Sequence, residues 1–206
     1  MPTAIVNGGT RGIGAAIVHS LQENEWDVHA LGRKSCDARD TSQVRDYAHQ
    51  VKTIDLLVNV AGEFRSSDIV NENPIELVGL IHTNLLGYWN WTHAVLPKMR
   101  LQGQGYIINI SSMAAKRVRA GCSSYAITKA GVNALTEATL KENVHYRIRA
   151  TAICPGDCDT QIGHQIAHYA ELIPVDDIAK TVMWLLSLSK TSIVPEVCIE
   201  RRGRYQ

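Results

Sequence analysis

The chain has 206 residues, of which 45% are hydrophobic and 20% are charged, and its formal net charge is +1. These values are ordinary for a folded protein with a substantial core, and the length predicts a single domain. The charge balance excludes a bulk electrostatic attraction to nucleic acid or to an anionic membrane, so we expect neither as a partner.

Short apolar runs alternate with longer amphipathic runs along the chain. The apolar runs predict strands at residues 3–6, 28–31, 55–60, 106–110, 148–153 and 197–199. The amphipathic runs predict helices at residues 12–23, 41–52, 74–99, 124–143 and 176–188. Apolar strands separated by helices indicate a parallel sheet that is covered on both faces, which is the α/β class. No repeat or linker interrupts this order, so one domain over residues 1–206 is predicted.

The segment NGGTRGIG at residues 7–14 joins the first strand to the first helix. Glycines permit positive φ and let the backbone approach a phosphate, and a helix N-terminus offers free N–H groups to it. This placement predicts a turn that binds the pyrophosphate of a dinucleotide. The residues assigned to it are Gly8, Thr10, Arg11, Gly12, Ile13 and Gly14.

The second predicted strand ends at Leu31 and is followed by Gly32, Arg33 and Lys34. A site that prefers NAD usually has an acidic residue here for the ribose 2′-OH, and glycine cannot serve. Arg33 and Lys34, together with Arg11, suit a 2′-phosphate instead. The sequence therefore favours NADP(H) over NAD(H).

Tyr125 and Lys129 are four residues apart at the start of a predicted helix, so both side chains lie on one face. A free tyrosine has a pKa of about 10, and a nearby ammonium lowers it toward the neutral range. A shift of three units corresponds to about 4 kcal/mol. Ser112 follows the strand at residues 106–110, at the sheet edge where open α/β folds bind ligands. These three residues predict acid/base chemistry on a substrate oxygen.

The ordered segments GGTRGIG, LVNVAG, HTNLLG, INISS, YAITK and PG, with Thr160 after them, resemble the short-chain dehydrogenase/reductase family. The resemblance implies a single-domain, Rossmann-like three-layer sandwich with a mostly parallel sheet, and a nicotinamide cofactor. It implies that Tyr125 is the catalytic acid/base and that Lys129 lowers its pKa and binds the nicotinamide ribose. It also implies that Ser112, rather than Ser111, orients the substrate carbonyl, and that Asn84 holds a water in the proton relay. Further cofactor contacts implied by the resemblance are Asp37, Asn59, Ala61, Gly62, Pro155, Gly156 and Thr160.

The chain departs from the family by being short in two places. Asp37 follows Arg33 almost at once, where family members usually insert a helix and a strand, so the sheet is expected to lack an outer strand. The predicted substrate lid, at about residues 160–175, is also short. A short lid predicts an open pocket, or one that a neighbouring subunit completes.

Three other patterns in the sequence are weaker indications of function. His164 and His168, with Glu171 nearby, have the spacing of a zinc pair, but a solvated helix is the simpler interpretation, and we predict no metal site. Cys154 and Cys158 are interpreted as packed free thiols rather than redox groups. The basic residues Lys116, Arg117 and Arg119 form a loop that either attracts an acidic substrate or is simply solvated.

The segment MPTAIVNGGTRGIG lacks the features of a signal peptide, and no apolar run approaches the roughly 20 residues that span a bilayer. The five cysteines form no CxxC pair. A reducing cytoplasm is therefore expected.

The prediction for function is an NADPH-dependent oxidoreductase that interconverts a carbonyl and an alcohol on a small molecule. Two alternatives stay open: a 3-oxoacyl carrier-protein reductase, which the C-terminal segment disfavours, and a non-enzymatic NADP-binding sensor or scaffold. The resemblance also implies a homodimer or homotetramer paired through the helices at residues 74–99 and 124–143.

Overall fold

The molecule is built around one parallel sheet. The structure is a computed structural model, and it describes residues 1–166 and 171–204, except the side chains of residues 165, 166 and 204. Its strands lie in the order β2-β1-β3-β4-β5-β6, and each strand is parallel to its neighbours. This Rossmann-like arrangement confirms the predicted α/β fold class. The strands are β1 Thr3–Asn7, β2 Asp27–Leu31, β3 Leu56–Asn59, β4 Gly105–Ile110, β5 Ile148–Pro155 and β6 Glu196–Ile199.

Helices cover both faces of the sheet. They are α1 Gly12–Glu23, α2 Thr41–Gln50, α3 Pro74–Ile81, α4 Gly87–Gln102, α5 Ser123–Asn143, α6 Gln161–Ile166 and α7 Val175–Ser187. The predicted helical run over residues 74–99 is confirmed with one irregularity: α3 continues through a π-helical turn, His82–Leu86, into α4, with helical backbone angles at both junctions. Such turns often occur at functional sites. α4 ends where Gly103 takes a left-handed φ of 66°.

The strands are apolar on both sides because each side packs against helices. Ile5, Leu57 and Ile107 stand in register on β1, β3 and β4, and all three are completely buried. Their face packs against α2 and α4, whereas the alternate residues of the same strands pack against α1 and α7. The result is three layers, with two apolar cores separated by the sheet.

β2 is the edge of the sheet in the part of the chain that the structure describes. Its residues are mostly exposed or half-buried, as expected for a strand with a partner on one side only. The chain then turns directly into α2, whose N-terminus is capped by the Asp40 carboxylate through the backbone N–H groups of Ser42 and Gln43. The predicted lack of an outer strand is confirmed.

Two further observations bear on the environment of the protein. Within residues 1–166 and 171–204, no helix combines the length and the apolar character that crossing a membrane requires. All five cysteines are free thiols.

Candidate active site

A cleft of about 530 Å³ opens at the carboxyl ends of β1, β3, β4 and β5. Its volume is in the range of small-molecule sites, and this sheet edge is the usual ligand position in open α/β folds. Most residues predicted from the sequence lie in its wall. These are Gly8, Thr10, Arg11, Gly12, Ile13, Arg33, Asp37, Ala61, Gly62, Ser112, Tyr125, Lys129, Pro155, Gly156 and Thr160.

The glycine turn forms one end of the cleft, and its shape excludes side chains. Gly8 has a φ of 87°, and a Cβ there would lie 2.5 Å from the backbone nitrogen of Ala61. A Cβ on Gly14 would lie 2.0 Å from the carbonyl oxygen of Gly8, so Gly14 lets α1 pack against the turn although it is outside the cleft wall. No side chain caps the N-terminus of α1. Its free N–H groups therefore face the cleft and can receive a phosphate.

Charged side chains gather beside this turn, at the end of β2. Arg33 forms an ion pair with Glu63, and Arg11 donates to the Gln161 side chain at 3.0 Å. Lys34 does not line the cleft, although the sequence placed it with Arg33.

Arg39 lines this end of the cleft as well, and sequence reasoning missed it. It donates to both carboxylate oxygens of Asp37, and these hydrogen bonds lower the pKa of Asp37. Only its basic charge, two residues after Asp37, could have pointed to it. The cleft therefore contains two acidic side chains, Asp37 and Glu63, and two basic ones, Arg33 and Arg39, where a ribose 2′ substituent is expected.

At the other end, Ser112, Tyr125 and Lys129 come together in the cleft wall. Tyr125 and Lys129 lie one helical turn apart in α5, and Ser112 comes directly after β4 and Ser111. The Ser111 hydroxyl is buried and donates to the backbone carbonyl of Lys129 at 3.1 Å. The Ser112 Oγ caps a short 3₁₀ turn by accepting from the Ala114 N–H at 3.1 Å. Ser111 is thus held by the fold, which agrees with the choice of Ser112 for the site.

The electrostatics of this group differ from the prediction. The Lys129 ammonium donates to the Ile110 carbonyl at 2.8 Å and to the Tyr88 hydroxyl at 3.3 Å, and it lies 5.8 Å from the centre of the Tyr125 ring. Burial lowers the pKa of Lys129 to about 7. Burial also raises the pKa of Tyr125 to about 12, against the opposing effect of a hydrogen bond with Ser112.

The largest contribution to the Tyr125 pKa is the loss of hydration on burial, which raises it. The Lys129 ammonium is directed toward the Ile110 carbonyl oxygen, so the predicted lowering of the tyrosine pKa by Lys129 stays a prediction. Tyr125 keeps part of its surface open to the cleft. At neutral pH its hydroxyl is protonated and Lys129 is close to half-protonated.

Asn84 lies in the π-helical turn behind the cleft wall rather than in it. It is completely buried, accepts from the Glu63 N–H at 2.8 Å and donates to the Glu63 carbonyl at 2.8 Å. It also donates to the Thr128 hydroxyl at 3.3 Å. Asn84 therefore ties the loop after Gly62 to α5, one residue before Lys129.

Asn59 is not in the cleft wall either, which corrects its predicted place on the adenine side. It is the middle member of a buried amide ladder across three strands. The Asn7 amide donates to Asn59 at 3.1 Å, Asn59 donates to Asn109 at 2.9 Å, and Asn109 donates to the Thr136 hydroxyl of α5 at 2.9 Å. Its role is to hold the strands that carry the cleft.

The far side of the cleft is built by the segment after β5. A Cβ on Gly12 would touch the Thr160 methyl at 3.5 Å, so the two ends of the cleft approach each other there. Asp157 is almost completely buried, and it pairs with Arg119 at 3.0 Å and with Arg201 at 3.8 Å.

The basic loop is paired with carboxylates of the chain itself. Besides the Arg119–Asp157 pair, Lys116 lies 2.6 Å from Glu196, and Arg117 lies 3.2 Å from Glu200. The loop therefore does not present three uncompensated charges to a substrate.

Of the histidine pair with zinc spacing, His164 lies 2.7 Å from Asp159, and His168 lies outside the described residues. Part of the predicted lid, residues 167–170, also lies outside them.

Comparison with known proteins identifies the family of this chain. The family profile described as short chain dehydrogenase matches residues 34–170. An acetoacetyl-CoA reductase of Rhizobium meliloti is 33% identical, with 98% of each chain covered. A 3-oxoacyl-[acyl-carrier-protein] reductase of Chlamydia trachomatis is 29% identical, with 95% of this chain and 94% of that protein covered. The chain belongs to the short-chain dehydrogenase/reductase family, and it is an oxidoreductase of the kind that acts on hydroxyl and keto groups.

Solved structures show the same fold. A 3-ketoacyl-(acyl-carrier-protein) reductase from Brucella melitensis, complexed with NADH, superposes with a TM-score of 0.90 at 18% identity, covering 97% of this chain and 96% of that chain. A structure described as ElxO with NADP bound has a TM-score of 0.86 at 20% identity, covering 100% and 99%. Because one neighbour holds NADH and the other NADP, the family fold binds NAD(P)(H) and does not by itself select between them.

Proposed function

We propose that this protein is an NADPH-dependent reductase that converts a carbonyl group to an alcohol, with Tyr125 as the proton donor. One observation carries the proposal: Ser112, Tyr125 and Lys129 share a cleft with an uncapped glycine turn at its opposite end. The cleft fits a dinucleotide, because positions 8 and 14 leave no room for a Cβ where a pyrophosphate needs close backbone approach. The nicotinamide cofactor, when bound, supplies the hydride.

The protein's own residues account for the transfer of a proton to the substrate oxygen. Ser112 donates a hydrogen bond to the substrate oxygen and polarises the carbonyl. Because the pKa of Tyr125 is raised to about 12, its hydroxyl is fully protonated at neutral pH and can give its proton to the developing alkoxide. Lys129 is buried behind Tyr125 and can stabilise the phenolate that this transfer leaves.

The test of this mechanism is Tyr125→Phe. We expect turnover to fall at least about 10³-fold, because the proton donor is lost, while the dissociation constant for NADPH stays within about threefold. Tyr47→Phe is the matched control, since Tyr47 bonds His29 at the β2 edge of the sheet and lies outside the cleft wall, so its loss should leave turnover unchanged. Retained turnover in Tyr125→Phe would contradict the mechanism.

The preference for NADPH is proposed from Arg33 and Arg39, which both line the cleft beside β2. The two cleft carboxylates beside these arginines, Asp37 and Glu63, are already paired with them. A 2′-phosphate can replace Glu63 as the partner of Arg33 at little cost, because that ion pair is half-exposed.

The cofactor test compares dissociation constants for NADPH and NADH in the wild type and in the double variant Arg33→Ser/Arg39→Ser. We expect the NADPH preference to fall about tenfold or more, since each charge-assisted contact contributes about 1.5 kcal/mol or more. Lys34→Ser is the matched control, because Lys34 lies outside the cleft wall. A wild type that prefers NADH would refute this part of the proposal.

A second candidate concerns the substrate. The relatives named above are an acetoacetyl-CoA reductase and a 3-oxoacyl carrier-protein reductase, which favours a 3-oxoacyl thioester for this chain too. The internal pairing of Lys116, Arg117 and Arg119 counts against a docking role for the loop in binding an acidic carrier. The test assays acetoacetyl-CoA, small ketones and aldehydes as substrates by the loss of NADPH absorbance. It distinguishes a 3-oxoacyl thioester from a small carbonyl compound as the substrate. The non-enzymatic alternative is set aside, since the acid/base set is complete.

We also propose a homo-oligomer that forms through the outer faces of α4 and α5. Trp89 is 54% exposed and Ile127 is 57% exposed there, and Leu86 adds to the same apolar surface. Trp89→Asp should convert an assembly seen by light scattering into monomers.

We also propose a cytoplasmic location, because the five free thiols agree with a reducing compartment.

A further inference from the structure

A second chemical cluster lies beside the active site, on the last two strands. Cys154 of β5 and Cys198 of β6 are register partners, and Glu196 stands two residues before Cys198. Because alternate residues of a strand point to the same face, the three side chains share one face of the sheet. Their two sulfur atoms and one carboxylate oxygen lie within 4.8 Å of one another. No spacing in the sequence points to this cluster, because Cys154 and Cys198 are far apart in the chain.

The surroundings orient the carboxylate toward the sulfur atoms. Oxygen Oε2 of Glu196 accepts from Lys116 at 2.6 Å and from the Asn133 amide at 3.3 Å. The other oxygen, Oε1, lies 3.4 Å from the Cys198 thiol, which donates to it. The Cys154 thiol is directed at the Asn133 side-chain oxygen at 3.7 Å. Asn133 thus contacts both a thiol and the carboxylate, as residues behind metal ligands do.

We propose that Cys154, Cys198 and Glu196 bind one zinc ion. Two thiolates and a carboxylate are a ligand set that zinc prefers, and their atoms need only small movements to reach tetrahedral bond lengths of about 2.0–2.3 Å. The thiols release their protons to water as the ion binds. The three negative ligand charges are then balanced by Zn²⁺ and the Lys116 ammonium.

The accessibility of the cluster defines what kind of zinc site it is. Cys154 is completely buried, whereas Cys198 is exposed and borders a surface cavity together with Lys116 and Glu196. Three protein ligands therefore face a fourth position that water can fill. Because Cys154 directly precedes Pro155 and Gly156 of the cleft wall, the ion would fasten β6 to the strand that carries this wall.

The test measures zinc binding on the reduced, full-length chain after treatment with a chelator, by titration calorimetry with Zn²⁺. Co²⁺ serves as a second probe, because thiolate ligation gives it an intense near-ultraviolet absorption. We expect one equivalent of each metal per chain and a rise in melting temperature with Zn²⁺. Cys198→Ser should weaken zinc binding by more than about 100-fold, and Asn133→Ala by about 10–100-fold.

The matched control is Cys122→Ser, which removes a thiol outside the cluster and should bind zinc like the wild type. Circular dichroism checks that Cys198→Ser is folded, which is expected because its side chain is exposed. Glu196→Gln should lower the affinity without removing the near-ultraviolet absorption of the Co²⁺ form. The proposal is overturned if the wild type binds no stoichiometric zinc, if Cys198→Ser binds as tightly, or if Cys154 and Cys198 prove to be joined as a disulfide that excludes the metal.

Discussion

The buried Lys129 makes the stability of the ligand-free protein depend on pH in a defined window. Burial lowers its pKa from 10.5 to about 7 in the folded state. Between these two values the unfolded chain binds the proton and the folded chain releases it. The free energy of unfolding must therefore rise with pH across this range. Below pH 7 the lysine is charged in both states, so its burial lowers the free energy of unfolding by an amount that no longer changes with pH.

The size of the effect follows from the pKa values. Each pH unit in which only the unfolded state is protonated contributes about 1.4 kcal/mol. Between pH 7 and pH 8.5, with the folded lysine already half-neutral at the start, the gain is about 1.5 kcal/mol. The window stops at pH 8.5 because the thiols of Cys154 and Cys158, whose pKa values are raised from 9.0 to about 11 and 12, begin to oppose it above that pH.

The perturbation is Lys129→Met, which keeps a long side chain and removes the titrating amine. Urea unfolding at pH 7.0 and 8.5 gives the free energy of unfolding for each protein, and the quantity of interest is the difference between their pH dependences. We expect the wild type to gain about 1.5 kcal/mol more than the variant. Lys141→Met, at an exposed lysine paired with Glu137, should keep the wild-type slope. Parallel slopes for the wild type and Lys129→Met would refute the reasoning.

Three further perturbations test the fold around the cleft. Gly8→Ala should lower stability by about 1–3 kcal/mol and weaken NADPH binding, since its φ is 87° and the new Cβ would meet Ala61; thermal melting and cofactor titration measure both. Asp157→Asn should cost about 1–3 kcal/mol by weakening the charge-assisted hydrogen bonds that the buried carboxylate accepts from Arg119, and unchanged urea unfolding would contradict the importance of that pair. Leu57→Ala should cost about 2–5 kcal/mol as a cavity in the centre of the sheet, with cofactor affinity unchanged in the fraction that remains folded.

The sequence predicted the elements well because their signals are local. Apolar runs marked all six strands, and the glycine turn marked the start of α1 at Gly12. The helical run over residues 74–99 was predicted, but the π-helical turn inside it was not, because such a turn keeps helical composition while adding one residue to the turn. Apolar periodicity does not distinguish that turn from continuous helix.

The site was predicted less completely because its details depend on contacts between distant segments. Tyr125 and Ser112 were found from their spacing, but the direction of the pKa shift of Tyr125 depends on burial, which spacing does not report. Arg39 and the pair of Cys154 with Cys198 become visible only when the strands are brought together. Asn59 carried a recognisable motif, yet its side chain serves the ladder between strands instead of the cleft.

The amide ladder of Asn7, Asn59 and Asn109 also constrains how this sequence can change over evolutionary time. Asn7 donates to Asn59, and Asn59 donates to Asn109, so replacing one member leaves a buried polar group on a neighbour without its partner. Replacing all three with apolar residues would leave none of these groups unpaired. The three positions are therefore coupled, and we expect the cost of substituting two of them together to differ from the sum of the two single costs.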